Sequence, residues 1–224
     1  MTIDPLDNPV WHALVGPHRV HAVGRGLALH YPRDMAPFSA IADTTAQAYA
    51  DLAADLPAAT EARLFRPSEE PLPRGWEQLQ RTPILQMVAE GAPDITSQSI
   101  VDLVESDIDA MKALIAIAQP GPFGQRTLFL GRYLGIKHEG MLVAMAGERL
   151  RLPGYVELSA IAVHPEARGR GYAAAITAHL MRDALARGEL PFLHVRLDNA
   201  AVNLYRRLGF RTRRELVVVW RRPL

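Results

Sequence analysis

The sequence predicts an α/β (α+β) protein: a mixed, mostly antiparallel sheet with flanking helices. Three observations carry that reading. Apolar and β-branched runs with strand character recur at Tyr155–Val163, Leu190–Leu197 and Glu215–Trp220. An alanine-rich helical run, Ala173–Ala186, separates the first two, and a shorter one, Ala200–Leu208, separates the last two. Turn chemistry marks the joins: Gly169 and Gly171 before the long helix, Asp198-Asn199 before the short one, and Gly209 after it.

The remaining elements follow in chain order. Arg19–Tyr31 has strand character broken by Gly24 and Gly26, and Ala42–Leu56 is alanine-rich and helical. Glu61–Phe65 reads as a short strand, and Arg66–Gly75, with Pro67, Pro71 and Pro73, as a loop. Glu77–Glu90 fits neither period well, because Pro83 interrupts it. Ser106, with Asp109 three residues on, has capping-box spacing and starts a helix to about Ala118, which Pro120-Gly121-Pro122 ends. Arg126–Tyr133, Gly140–Arg149 and Tyr155–Val163 then read as three successive strands. The chain divides near residue 97 into an N-terminal α/β half, 1–97, and a C-terminal unit, 98–224. The N-terminal half has the look of a degenerate copy of the other.

Composition narrows the classes. A chain of 224 residues, 49% hydrophobic and 22% charged, can bury an ordinary globular core. No run of 18 apolar residues is present, so no membrane span is expected. The acidic start, Met1–Asp7, lacks a secretory apolar stretch, and a cytoplasmic protein is expected. With 0 cysteines there is no disulfide, thiolate nucleophile or cysteine metal site. The histidines show no metal-ligand spacing, so no metal is expected. Ser159 lacks a Ser-His-Asp arrangement and a nucleophile elbow, which argues against a hydrolase. Charge is uneven: residues 151–224 hold 13 arginines against 6 acidic residues. That balance suits a polyanionic ligand. Nucleic acid is disfavoured, since no aromatic-plus-basic stacking pattern accompanies the arginines, and Arg213, Arg214, Arg221 and Arg222 read as solvated surface.

Arg168-Gly169-Arg170-Gly171-Tyr172-Ala173 is the segment richest in chemistry. A glycine turn between strand and helix leaves N–H groups unpaired where the helix dipole is positive, a geometry that holds phosphate or pyrophosphate. Two glycines admit positive φ and close backbone approach, and the arginines can pair with phosphate oxygens. Gly169-x-Gly171-x-x-Ala174 also fits a dinucleotide-binding fingerprint with Asp198 as ribose acid. His164-Pro165-Glu166 intervenes before the glycines, however, and Asp198 lies 29 residues beyond Gly169, further than the roughly 20 that fingerprint expects.

Two motifs together give a resemblance. Arg168-x-x-Gly171-x-Ala173, and Asn199 followed by Leu204-Tyr205-x-x-Leu208-Gly209-Phe210, resemble the coenzyme-binding half of the GNAT acetyltransferase superfamily over about residues 105–220. The resemblance implies a GNAT-like fold and an acetyl-CoA-dependent N-acetyltransferase that moves an acetyl group directly to an amine acceptor. It implies that Arg168, Gly169, Arg170, Gly171, Tyr172 and Ala173 hold the pyrophosphate. The backbone of Ile161, Ala162 and Val163 would pair with pantetheine, and Asn199 would bond pantetheine or cap its helix. Tyr205 is the expected donor to the departing thiolate. Glu157, the only carboxylate within its strand, is the candidate general base, and alternation puts it on a face with Tyr155, Ser159, Ile161 and Val163. His194 and Arg196 share a face and are candidates to line the acceptor pocket, although a lone strand histidine is more often structural. A monomer or homodimer is expected. The alternatives are a non-catalytic acyl-CoA-binding module and an RNA-associated acetyltransferase.

Overall fold

An eight-stranded sheet organises the chain. The computed structural model describes residues 4–57, 59–68, 70–95 and 100–224. The boundary expected near residue 97 falls outside the described residues. Strands run in the order β4 (Ala62–Arg66), β11 (Phe210–Pro223), β5 (Trp76–Ala89), β10 (Leu190–Arg196), β9 (Tyr155–Val163), β8 (Met141–Leu152), β7 (Tyr133–His138) and β6 (Ile100–Asp102). Among the described residues only β9 and β10 of this sheet pair in parallel. A small antiparallel sheet of β1 (Val23–Arg25), β2 (Ala28–His30) and β3 (Ser39–Ile41) stands beside it. The helices are α1 (Pro9–Val15), α2 (Ala46–Asp55), α3 (Ile108–Ala118), α4 (Tyr172–Ala186) and α5 (Ala201–Arg207). The mixed, mostly antiparallel sheet with flanking helices is the architecture the sequence predicts.

Each face of the sheet buries its own core. On one face Leu85, Met87, Leu193 and Val195 pack against Ile176, Leu180 and Met181 of α4 and Val202, Tyr205 and Leu208 of α5. On the other, Ile84, Val88 and Phe192 pack with Phe65, Leu6, Val10 and Leu14. Alternation on β5 thus places Gln86, 0% exposed, on the second face among apolar neighbours.

Three elements differ from expectation. Glu77–Glu90 is one long strand, because Pro83 lies just before the 84–88 span that pairs with β10, where β5 is still an edge on that side. Arg126–Tyr133 is a 3₁₀ turn, Thr127–Leu130, with the strand beginning at Tyr133. Ser106 lies within a 3₁₀ turn, Glu105–Asp107, and the Asp107 carboxylate accepts from the Val104 N–H at 3.0 Å ahead of α3.

Two irregularities shape the centre of the sheet. β9 and β10 pair only at Tyr155–Glu157 with Leu190–Phe192. Beyond Phe192, β10 turns its pairing to β5, and the strands splay. Further along β9, Ala160 and Ile161 oppose the single residue Ala146. Ala160 sits at φ 51°, in the left-handed region. This bulge reverses the side-chain phase, so Ile161 and Val163 join the α4 face with Leu158. The expected face shared by Glu157, Ile161 and Val163 therefore does not form.

Candidate active site

The glycine turn has the predicted geometry. Gly169 and Gly171 take φ 77° and 76°, and no atom lies within 4 Å of a β-carbon built on either. The left-handed turn explains these glycines, and the space in front of them is open. From Gly169 to Ala174 no backbone N–H donates a hydrogen bond among the described residues; the first to do so is Ala175, to Gly171 at 3.0 Å. No side chain caps the start of α4. The result is a run of free amides at the positive end of a 15-residue helix.

A cavity of about 290 Å³ lies against this turn, lined by Arg168, Gly169, Gly171, Tyr172 and Ala173, with Arg207 from α5. Arg170 faces a separate, smaller cavity beside His138 and Glu166. Arg207 was not singled out in the sequence, because nothing distinguishes it from the neighbouring Arg206 until α5 is placed.

A second cavity, about 470 Å³, opens where β9 and β10 separate. It shares Val163, Arg168 and Leu204 with the first, so the two are adjacent. Ile161, Ala162 and Val163 line one wall on the side where β9 has lost its neighbour. Asn199 and Tyr205 line another, and Gln119 and Pro120 after α3 a third. Asn199 accepts from the Ala201 N–H at 2.8 Å and so caps α5. Tyr205 is 8% exposed, and its hydroxyl has no hydrogen-bond partner among the described residues. Burial pushes its pKa up to about 12, so the phenol keeps its proton throughout the physiological range.

Glu157 is not part of the cavity wall. It is 0% exposed, and the Arg149 guanidinium donates to both its oxygens, Nη2 to Oε1 at 2.6 Å and Nε to Oε2 at 2.9 Å. A register shift in β8 sets Arg149 and Leu150 against this one residue, which brings the arginine onto Glu157. Burial alone would raise the pKa of Glu157. The charge and hydrogen bonds of Arg149, with that of His194, outweigh burial and hold it at about 2. A carboxylate so held is a fixed anion, poorly suited to collecting protons near neutral pH. His194 does reach the cavity, with Nδ1 2.7 Å from Glu157 Oε1. Arg196 does not: it is exposed and forks onto Asp198.

The terminal arginines are also placed differently from expectation. Arg213 pairs with Asp4 and Asp7, Arg214 with Asp7, Arg221 with Glu70 and Arg222 with Glu77. They are neutralised rather than arrayed as a basic surface. Among the described residues no cluster of His, Asp and Glu could hold a metal ion, and no helix is long and apolar enough to cross a membrane.

Comparison with known proteins fits this geometry. The FR47-like protein family matches residues 133–219, from β7 into β11. A crystal structure from Novosphingobium aromaticivorans, assigned to the GNAT acetyltransferases, is 37% identical, with 99% of this chain and 100% of that one covered and a TM-score of 0.91. The chain belongs to the GNAT family. More distant GNAT proteins share the fold alone. One from Colwellia psychrerythraea has 18% identity, TM-score 0.52 and coverage of 64% of this chain and 57% of that one. Another, from Sphaerobacter thermophilus, has 19% identity, TM-score 0.50 and coverage of 75% and 62%. Curated proteins gave no match. In this GNAT protein the free amides border one cavity, and the splayed strands and the buried phenol border the adjacent one.

Proposed function

We propose that this GNAT protein transfers an acetyl group from acetyl-CoA directly to the nitrogen of an amine. The observation that carries the proposal is the adjacency of the two cavities. One lies against the free amides of Gly169–Ala174, and the other is bordered by the unpaired edge of β9 and by Tyr205.

Each part has a physical role. The amide run and helix dipole attract the pyrophosphate, and Arg168 and Arg207 supply charge-assisted bonds. The pantetheine amides bond to the Ile161–Val163 backbone as an added strand would. The bulge at Ala160 offers an N–H to the thioester carbonyl, where negative charge develops. Tyr205 faces the sulfur. A phenol near 12 does not readily surrender its proton to a thiolate of pKa about 8.5, so it stabilises the leaving group by donating a hydrogen bond. Glu157 acts as a fixed anion behind the wall.

The alternatives lack a comparable observation. Four arginines of the basic C-terminal part, Arg213, Arg214, Arg221 and Arg222, are held in ion pairs rather than free for RNA. A binding-only module has no use for an unpartnered phenol in the cavity wall.

The test is isothermal titration with acetyl-CoA, followed by turnover over a panel of primary amines. Tyr205→Phe is expected to lower kcat by about 10- to 100-fold, the worth of one hydrogen bond to a charged group. Its coenzyme affinity should stay within about twofold. No binding of acetyl-CoA by the wild-type chain overturns the proposal.

A further inference from the structure

Behind the cavity wall lies a chain of largely buried polar groups of which the reading above uses only Glu157. It begins at Arg213, whose Nη1 donates to Gln86 Oε1 at 2.9 Å. Gln86 Nε2 donates to the Leu6 carbonyl at 2.8 Å. These two bonds fix which end of the Gln86 amide is oxygen and which nitrogen. The same Nε2 lies 3.2 Å from His194 Nε2. Because the amide nitrogen only donates, His194 Nε2 must accept. The ring proton therefore sits on Nδ1 and is donated to Glu157 at 2.7 Å. Glu157 in turn is clamped by Arg149. Five strands and the N-terminal turn thus agree on one tautomer of one histidine, with the basic nitrogen bare of hydrogen.

The ring is also placed differently from Tyr205. Leu193 and Tyr205 belong to the core under α4 and α5. His194 packs against Phe65 and Phe192, at ring distances of 4.8 and 5.5 Å, on the opposite face of the sheet. His194 and Tyr205 nonetheless both border the cavity at the gap between β9 and β10.

The geometry points to His194 as the base that removes a proton from the acceptor amine, with Gln86 and Glu157 as its positioning residues. This rests on the acetyl-transfer reading and deepens it. The amine nitrogen attacks the thioester carbonyl carbon, a C–N bond forms, and one N–H proton passes to His194 Nε2. The C–S bond breaks with its electron pair on sulfur, which leaves as a thiolate hydrogen-bonded to Tyr205. Imidazolium and thiolate then exchange protons with solvent. The 3.2 Å contact to Gln86 is the longest bond of the chain and the one the amine displaces. The resulting imidazolium is held by the Glu157 anion. The other charges nearby are already committed: Arg149 to Glu157, and Arg213 to Asp4 and Asp7. His18 and Tyr31 bond to each other.

The experiment compares the wild-type chain with His194→Gln and Gln86→Met. Acetyl-CoA titration is expected to give affinities within about twofold for all three. Turnover uses spermidine, glycinamide and tyramine, followed by thiol release across pH. His194→Gln is expected to lose about 100- to 10,000-fold in kcat and the ascending limb of the kcat/KM profile with it. Gln86→Met, which leaves the ring in place, should keep that limb but displace it. A non-kinetic reading comes from ¹⁵N-histidine NMR, where His194 should carry its proton on Nδ1 in the wild type and lose that preference in Gln86→Met. Turnover by His194→Gln within about threefold of wild type, or a proton on Nε2 in the free protein, overturns the assignment while leaving coenzyme binding intact. Coenzyme binding without transfer to any of the three amines overturns it as well, whereas failure to bind acetyl-CoA defeats the parent reading.

Discussion

Replacing Glu157 by glutamine is the sharpest test of the buried network. The substitution removes one negative charge at a position with 0% exposure and leaves the Arg149 guanidinium, 8% exposed, without a counter-charge. The amide can still accept a bond from Arg149, but it cannot neutralise it. Removing one partner of a buried ion pair costs about 3–5 kcal/mol. Linkage gives a second route to the size. Arg149 and His194 overcome burial and hold Glu157 at about 2 in the fold, against an ordinary 4.5. At about 1.4 kcal/mol per pH unit that is roughly 3–4 kcal/mol. Because the folded value is the lower, this stabilisation is complete above pH 4.5 and is lost as pH falls from 4.5 toward 2. At about 2–4 °C per kcal/mol for a chain of this size, Tm should fall by about 6–20 °C at pH 7.5. Urea unfolding followed by far-UV circular dichroism at pH 7.5 and pH 3 measures both quantities. A deficit below about 1 kcal/mol at pH 7.5, or one that does not shrink at pH 3, refutes the reasoning. The double variant Arg149→Met/Glu157→Leu should recover most of the loss, since a packed apolar pair removes the uncompensated charge.

Two further outcomes follow from single residues. Burial, then His21 and Arg151, holds His18 down at about 4, with Tyr31 Oη 2.9 Å from its ring. Unfolding therefore takes up a proton between pH 6.5 and 4, and about 3 kcal/mol of stability should disappear as pH falls through that window; urea midpoints at pH 7.5, 5.5 and 4 for the wild type and His18→Gln test it, the variant being flatter. Gly171→Val forces a β-branched residue into φ 76° at the start of α4. It should cost about 1–2 kcal/mol of stability and weaken acetyl-CoA binding by at least about tenfold in calorimetric titration. Unchanged affinity would detach the turn from coenzyme binding.

The parts of the site that local chemistry determines were legible in the sequence. Gly169 and Gly171 announce a left-handed turn, Asn199 a cap and Gly209 a helix end, and all sit within a few residues of what they shape. The pattern of α4, with Ile176, Leu180 and Met181 on one face, is equally local. What escaped was non-local. Gln86 lies on a strand obscured by Pro83 and by polar Gln78, Gln80 and Thr82, and its neighbours β10 and β11 come from the far end of the chain. The Arg149–Glu157 clamp depends on a register shift that alternation does not contain. Arg213 read as solvated surface because its partners, Asp4 and Asp7, are more than 200 residues away.

The placement of β5 has a mechanical consequence. If β10 were an edge strand beyond Phe192, the splay from β9 would leave it unsupported and the cavity would collapse or widen with the strand's motion. Pairing of Phe192–Arg196 with Ile84–Val88 anchors β10 on its far side, so the gap is held open by backbone hydrogen bonds rather than by side chains. The same strand delivers Gln86 to the back of His194 and is itself pinned by β11 over its whole length. One insertion therefore fixes both the width of the gap between β9 and β10 and the orientation of the His194 imidazole beside it. A buried amide that donates twice and accepts once, its one acceptor bond coming from the half-buried Arg213, holds that orientation without bringing a charge of its own.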